Sequence, residues 1–135
     1  MFKKYIYRYP LSVGVLCAIV GLSLYPFTEI QPLPDVPLAD KWAHMVMYGV
    51  WCSVIWFEYL RKHRKIGVLR MVVGAMVLPI AVGGILELLQ ENLTATRNGD
   101  MIDFYANMLG VLLGNLTGRT VVSPLARKMG LHPKD

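Results

Sequence analysis

The chain has 135 residues and a mass of 15.2 kDa, with 55% hydrophobic and only 17% charged residues and a mean hydropathy of +0.44. That balance is the reverse of a disordered tail or a nucleic-acid-binding arm, and excludes both. The net charge of +5 sits in short clusters between long apolar runs, which predicts a multi-pass protein of the cell membrane with the lipid bilayer as its surroundings.

Crossing about 30 Å of hydrocarbon takes roughly 20 helical residues. Four segments meet that length, over residues 11–27, 42–60, 67–90 and 101–122. The expected fold class is therefore an all-α membrane protein, a bundle of four transmembrane helices forming one domain over residues 1–135.

The first segment follows Lys3, Lys4 and Arg8, as a signal peptide would, but Gly21-Leu22-Ser23 is a poor cleavage site. A retained helix is expected. Pro32, Pro34 and Pro37 stiffen the loop after it. In the second segment Glu58 has Arg61 and Lys62 within a turn as ion-pair partners. Trp51 and Trp56 suit packing, while Trp42 and Tyr59 lie where an interfacial aromatic belt is expected. Arg70, at the start of the third segment, can snorkel to the surface. Pro79 should kink this segment and free the carbonyl of Ala75. Cys17 and Cys52 are too few and too deep for a disulfide framework and read as small apolar fillers.

Of the 14 basic residues, all but Lys41 and Arg97 fall in the N-terminal tail, the link after residue 60 or the C-terminal end. The opposite side holds Glu29, Asp35, Asp40, Glu91 and Asp100. By the excess of Lys and Arg in cytoplasmic loops, both termini should be cytoplasmic.

Ionisable groups in or near apolar spans are costly unless paired or wet, so their positions carry information. Asp40, His44 and Tyr48 follow at four-residue intervals, with Lys41 one turn before His44. Glu87 and Gln90 close the third span, after Gly83 and Gly84. Asp100, Asp103 and Asn107 open the fourth, and their stripe continues as Gly110, Gly114 and Gly118. At 100° per residue these six positions fall within about 80° of one another. Small residues at four-residue spacing let a neighbouring helix approach, so the stripe should point into the bundle and carry its polar residues inward. All of these groups then converge at the extracytoplasmic end, where Arg97 joins them from the loop.

Two explanations fit such a cluster. Lys41 and Arg97 can tie the carboxylates into a static network that only holds the helices together. Alternatively the set is a site: His44 as base, Glu87 or Asp103 as its partner, and Lys41 and Arg97 for an anionic head group, with Asp40, Tyr48, Gln90, Asp100 and Asn107 lining it. A divalent metal on His44 with Glu87, Asp100 or Asp103 is a variant of the second reading. No Ser-His-Asp order, glycine-rich phosphate loop or HExxH motif fixes a reaction.

The three motifs Asp40-Lys41-x-x-His44-x-x-x-Tyr48, Glu87-x-x-Gln90 and Arg97-x-x-Asp100-x-x-Asp103-x-x-x-Asn107-x-x-Gly110-x-x-x-Gly114, in this order, resemble the VanZ-like family of small membrane proteins. The resemblance covers residues 10–122. It implies a multi-helix integral membrane protein with a role in the cell envelope, the founding member being linked to teicoplanin resistance. A lipid-linked envelope precursor or a lipid head group is then the expected ligand of the outward site. Against a membrane-embedded enzyme or binder stands a non-catalytic protein whose glycine face docks a partner helix or a second copy of the chain. A transporter is a third option, for which four spans are few unless the protein oligomerises.

Overall fold

The computed structural model describes residues 2–24, 39–93 and 101–131. In chain order the elements are α1 (Phe2–Arg8), α2 (Pro10–Leu24), α3 (Ala39–Lys62) and α4 (Val68–Val72). A π-helical turn over Val73–Val77 leads into α5 (Leu78–Leu93). Next come α6 (Met101–Thr117), a second π-helical turn over Gly118–Val122, and α7 (Ser123–Lys128). No strand occurs among the described residues.

The all-helical expectation holds. The second, third and fourth apolar segments fall within helices at nearly their predicted bounds, while residues 25–27 of the first lie outside the described residues. The basic N-terminal tail is itself helical, as α1, and the last helix continues beyond residue 122 through α7. By length and composition, one helix among the described residues is long and apolar enough to cross a membrane: Val68–Leu89, of mean hydropathy 2.2. Pro10–Leu24 is apolar but shorter. In α3 and α6 the apolar run is diluted by His44 and Glu58, and by Asp103, Asn107 and Asn115.

Helices α3 and α6 pack along their length, and the remaining elements are arranged around this pair. The glycine stripe is the reason. A methyl group added at Gly114 would sit 2.6 Å from the Gly49 carbonyl oxygen and 2.7 Å from the Cys52 Cβ. At Gly110 it would collide with the Met45 carbonyl, and at Gly118 with the Trp56 indole. Backbone thus meets backbone, and bulky side chains are displaced to either side. One core cluster joins Tyr48, Trp51 and Cys52 to Ile19, Leu86 and Val111. A second joins Trp56, Tyr59 and Leu60 to Met71, Ala75 and Ala126.

Large aliphatic side chains also lie on the surface, and several polar groups lie inside beside the two apolar clusters. Val46 and Val50 on α3, Leu78, Ile85 and Leu88 on α5, and Leu109, Leu112 and Leu116 on α6 are all exposed. Ser12, His44, Glu58, Glu87, Asp103 and Asn107 are buried.

Three sequence expectations are corrected by the contacts. Glu58 does not serve Arg61 or Lys62. Its carboxylate, 3% exposed, accepts hydrogen bonds from the backbone N–H of Leu11 (2.8 Å) and of Ser12 (2.9 Å) and from the Ser12 Oγ (2.6 Å). It caps the first turn of α2, where Pro10 has no N–H to satisfy and the next two do. The two cations lie over aromatic rings instead, Arg61 over Phe57 and Lys62 over Tyr9. Tyr59 is buried, not interfacial: its hydroxyl accepts from the Gly67 N–H (2.9 Å), donates to the Lys65 carbonyl (3.3 Å) and so pins the link into α4.

Cys52 is more than a filler. Pro79 cannot donate to the Ala75 carbonyl, as expected, and the chain answers with the π-helical turn of Val73–Val77 just before it. Asn115 Nδ2 donates to that carbonyl at 2.7 Å and the Cys52 thiol does so at 3.3 Å. Asn115 also accepts from the Trp56 indole N–H at 2.9 Å, so one amide joins α3, α6 and the π turn. The loop prolines Pro32, Pro34 and Pro37 lie outside the described residues.

Substitutions separate these contributions. Gly110→Ala should cost about 1–3 kcal/mol, because the Met45 backbone cannot yield to a methyl group. Gly14→Ala, where nothing lies within 4 Å of the added carbon, should gain about 0.5–1 kcal/mol. Thermal unfolding of the two purified variants beside the parent checks the opposite signs. Glu58→Ala strands two N–H groups of α2 and should cost about 2 kcal/mol on the same assay.

Candidate functional site

The close α3–α6 contact sets the geometry at one end of the bundle, where the N-terminal turns of α3 and α6 meet the C-terminal turns of α5. Helical spacing puts Lys41, His44 and Tyr48 on one side of α3. Asp103 lies in the first turn of α6, where the positive end of the helix dipole favours a carboxylate, and Asn107 follows one turn later. Glu87 enters from α5. His44, Glu87, Asp103 and Asn107 are all buried.

Two polar pairs cross between α3 and α6. Lys41 Nζ lies 3.0 Å from Asp103 Oδ1, a hydrogen-bonded ion pair. One turn deeper, His44 Nδ1 lies 3.0 Å from Asn107 Oδ1. An amide oxygen can only accept, so Nδ1 is the donor in this contact. Asn107 therefore anchors the imidazole of α3 from α6. One ligand atom each from His44, Glu87 and Asp103 lie within 4.8 Å of one another, from three different helices.

Tyr48 closes the site from below. It is fully buried, and its hydroxyl has no hydrogen-bond partner among the described residues. The Glu87 carboxylate lies within its electrostatic reach. Gly83 makes room for Asn107 beside it: a Cβ there would stand 3.2 Å from Asn107 Nδ2, and 3.5 Å, an ordinary contact, from the Tyr48 ring. A Cβ at Gly84 would stand 3.4 Å from the Phe104 ring.

Six of the residues singled out in the sequence are thus brought together: Lys41, His44, Tyr48, Glu87, Asp103 and Asn107. Asp40 and Gln90 lie on α3 and α5, but their side chains, like all of Arg97 and Asp100, are outside the described residues. The sequence assigned no role to Gly83, although its position four residues before Glu87 puts both on one face of α5. Away from this cluster, an apolar groove of about 510 Å³ runs between α3 and the α6–α7 segment, lined by Met45, Val50, Phe57, Leu113 and Leu125 among others. None of the six cluster residues lines it.

Comparison with known proteins returns no matching family model, curated protein or solved structure.

The His44–Asn107 contact makes a spectroscopic prediction. In the parent chain the imidazole ¹⁵N shifts of His44 should report a single Nδ1–H tautomer. In Asn107→Leu, which removes the acceptor, they should collapse toward an exchanging average of both tautomers. Retention of the single tautomer would show that another group orients the ring.

Proposed function

We propose that this chain is a four-span protein of the cell membrane, akin to the VanZ-like proteins, with both termini in the cytoplasm. Its polar cluster opens to the extracytoplasmic face and acts in the cell envelope on the head group of a lipid-linked precursor. The observation that carries this reading is an exposed aliphatic surface combined with an enclosed polar cluster. Large aliphatic side chains point outward on α3, α5 and α6, while a histidine, two carboxylates and an amide are enclosed at one end. Exposed apolar surface on several helices is unfavourable in water and costs nothing in lipid, where enclosed polar groups must satisfy one another.

The same arrangement accounts for the modest hydropathy of α3 and α6. Their polar residues turn toward each other, so the surface offered to lipid is more apolar than the helix average. The basic link around Arg61, Lys62, Arg64 and Lys65 sits at the end away from the cluster, which supports a cytoplasmic position for that end. Lys41 supplies a cation at the mouth for an anionic head group, and Arg97 is the second such group in the sequence.

Acid–base chemistry on that head group is the second reading. It is favoured by one observation, the Asn107 contact that anchors the His44 imidazole where ligand atoms of His44, Glu87 and Asp103 lie within 4.8 Å of one another.

Teicoplanin and vancomycin susceptibility of cells expressing the chain tests the proposal. Protection selective for teicoplanin is expected from the parent chain. His44→Ala and Asp103→Asn should abolish it at undiminished membrane abundance. Absence of protection, or loss only in step with loss of protein, would remove the envelope reading and leave the cluster as a helix-locking network.

A further inference from the structure

We propose that His44, Glu87 and Asp103 bind one divalent transition-metal ion, of Zn²⁺ or Mn²⁺ chemistry, with the Tyr48 hydroxyl poised to hydrogen-bond a water on that ion. The inference rests on side-chain geometry alone and does not depend on membrane orientation or on the envelope reading.

The donor set comes from three helices, so its convergence is a product of tertiary packing and not of local sequence. Its atoms already lie within 4.8 Å of one another. Metal–ligand bonds of about 2.0–2.2 Å hold neighbouring ligand atoms roughly 3.5 Å apart around a tetrahedral ion. The remaining gap is about 1 Å, small beside the reach of these side chains. One imidazole with two carboxylates suits a borderline cation, and no thiolate joins them to favour a softer one. Cys52, the nearest thiol along α3, gives its proton to the Ala75 carbonyl instead.

The surroundings are those of a ligand-binding imidazole. A metal-binding histidine donates its second nitrogen to a carbonyl or carboxylate that fixes its orientation, as His44 Nδ1 does to Asn107 Oδ1 at 3.0 Å. Lys41 engages Asp103 through Oδ1 alone, and the carboxylate has a second oxygen for the ion. Independent of the donor set, the buried Tyr48 hydroxyl has no partner among the described residues. A buried hydroxyl without a partner costs free energy, and a metal-bound water next to Glu87 removes that cost. Three protein ligands leave a coordination position open, the arrangement of catalytic rather than structural zinc. In this assignment His44 is a ligand and the metal-bound water is the proton-active group.

The test uses the full chain purified in detergent, stripped with a chelator and titrated calorimetrically with ZnCl₂ and then MnCl₂, with elemental analysis of the loaded protein. One ion per chain is expected. His44→Ala and Glu87→Gln should each weaken binding by tenfold or more, and Asn107→Leu by about tenfold through ligand orientation. Lys41→Met should act in the opposite direction and tighten binding, because it removes a cation from beside the ion. A gain of affinity cannot arise from misfolding, so that variant keeps the test decisive. No saturable binding by the folded parent, or equal affinity in His44→Ala and Glu87→Gln, overturns the site. Metal binding without teicoplanin protection refutes the envelope reading alone, and protection without metal binding refutes this one alone.

Discussion

Three glycines at four-residue spacing on α6 remove the side chains that would otherwise hold α3 away, so that Gly110 meets the Met45 backbone and Gly114 meets Gly49. The polar chemistry of the bundle depends on that proximity. Asparagine and aspartate are short, and Asn107 and Asp103 reach His44 and Lys41 at 3.0 Å only because the two backbones lie so close. The indole of Trp56 reaches Asn115 for the same reason, with Gly118 leaving space for its ring. A bulkier stripe would separate all three pairs at once, a cost added to that of the lost packing.

A second constraint operates at the opposite end. There the bundle contains two breaks in regular hydrogen bonding, the start of α2 at Pro10 and the disturbance around Pro79. Neither is repaired by a nearby residue. Glu58 reaches across from α3 to cap α2, and Asn115 with Cys52 reaches across to the Ala75 carbonyl. Each repair ties together elements distant in the chain, so a local defect becomes a tertiary restraint. The two ends thus differ in kind. At the Glu58 end the polar groups are consumed in backbone repair. At the His44 end they converge on one another from three helices, which is why only that end is read as a site.

Much of the fold was legible because apolar run length and helical period are properties of local sequence. The helix positions, the shared face of Asp103, Asn107 and the glycines, and the freed Ala75 carbonyl all follow from spacing and from the chemistry of proline. Partner choice was not legible. Glu58 has Arg61 and Lys62 one turn away, and a local rule selects them, yet its carboxylate is turned inward to N–H groups some 47 residues distant. Tyr59 invites an interfacial reading by its position and is instead buried by the fold of the link that follows it. Asn115 drew no notice, since a lone asparagine in an apolar helix has no pattern to betray three contacts.

By itself the sequence determined an all-helical chain, the register of each helix and the glycine face along which two of them would meet, because 3.6-residue periodicity is set before any helix finds its neighbour. Only the tertiary structure decided that Asn107 anchors His44 beside two carboxylates, that Gly83 leaves room for the Asn107 amide, and that α2 is capped from α3. Each of these depends on distances between helices. Such distances come from how side chains of particular size interlock, which no single helix contains.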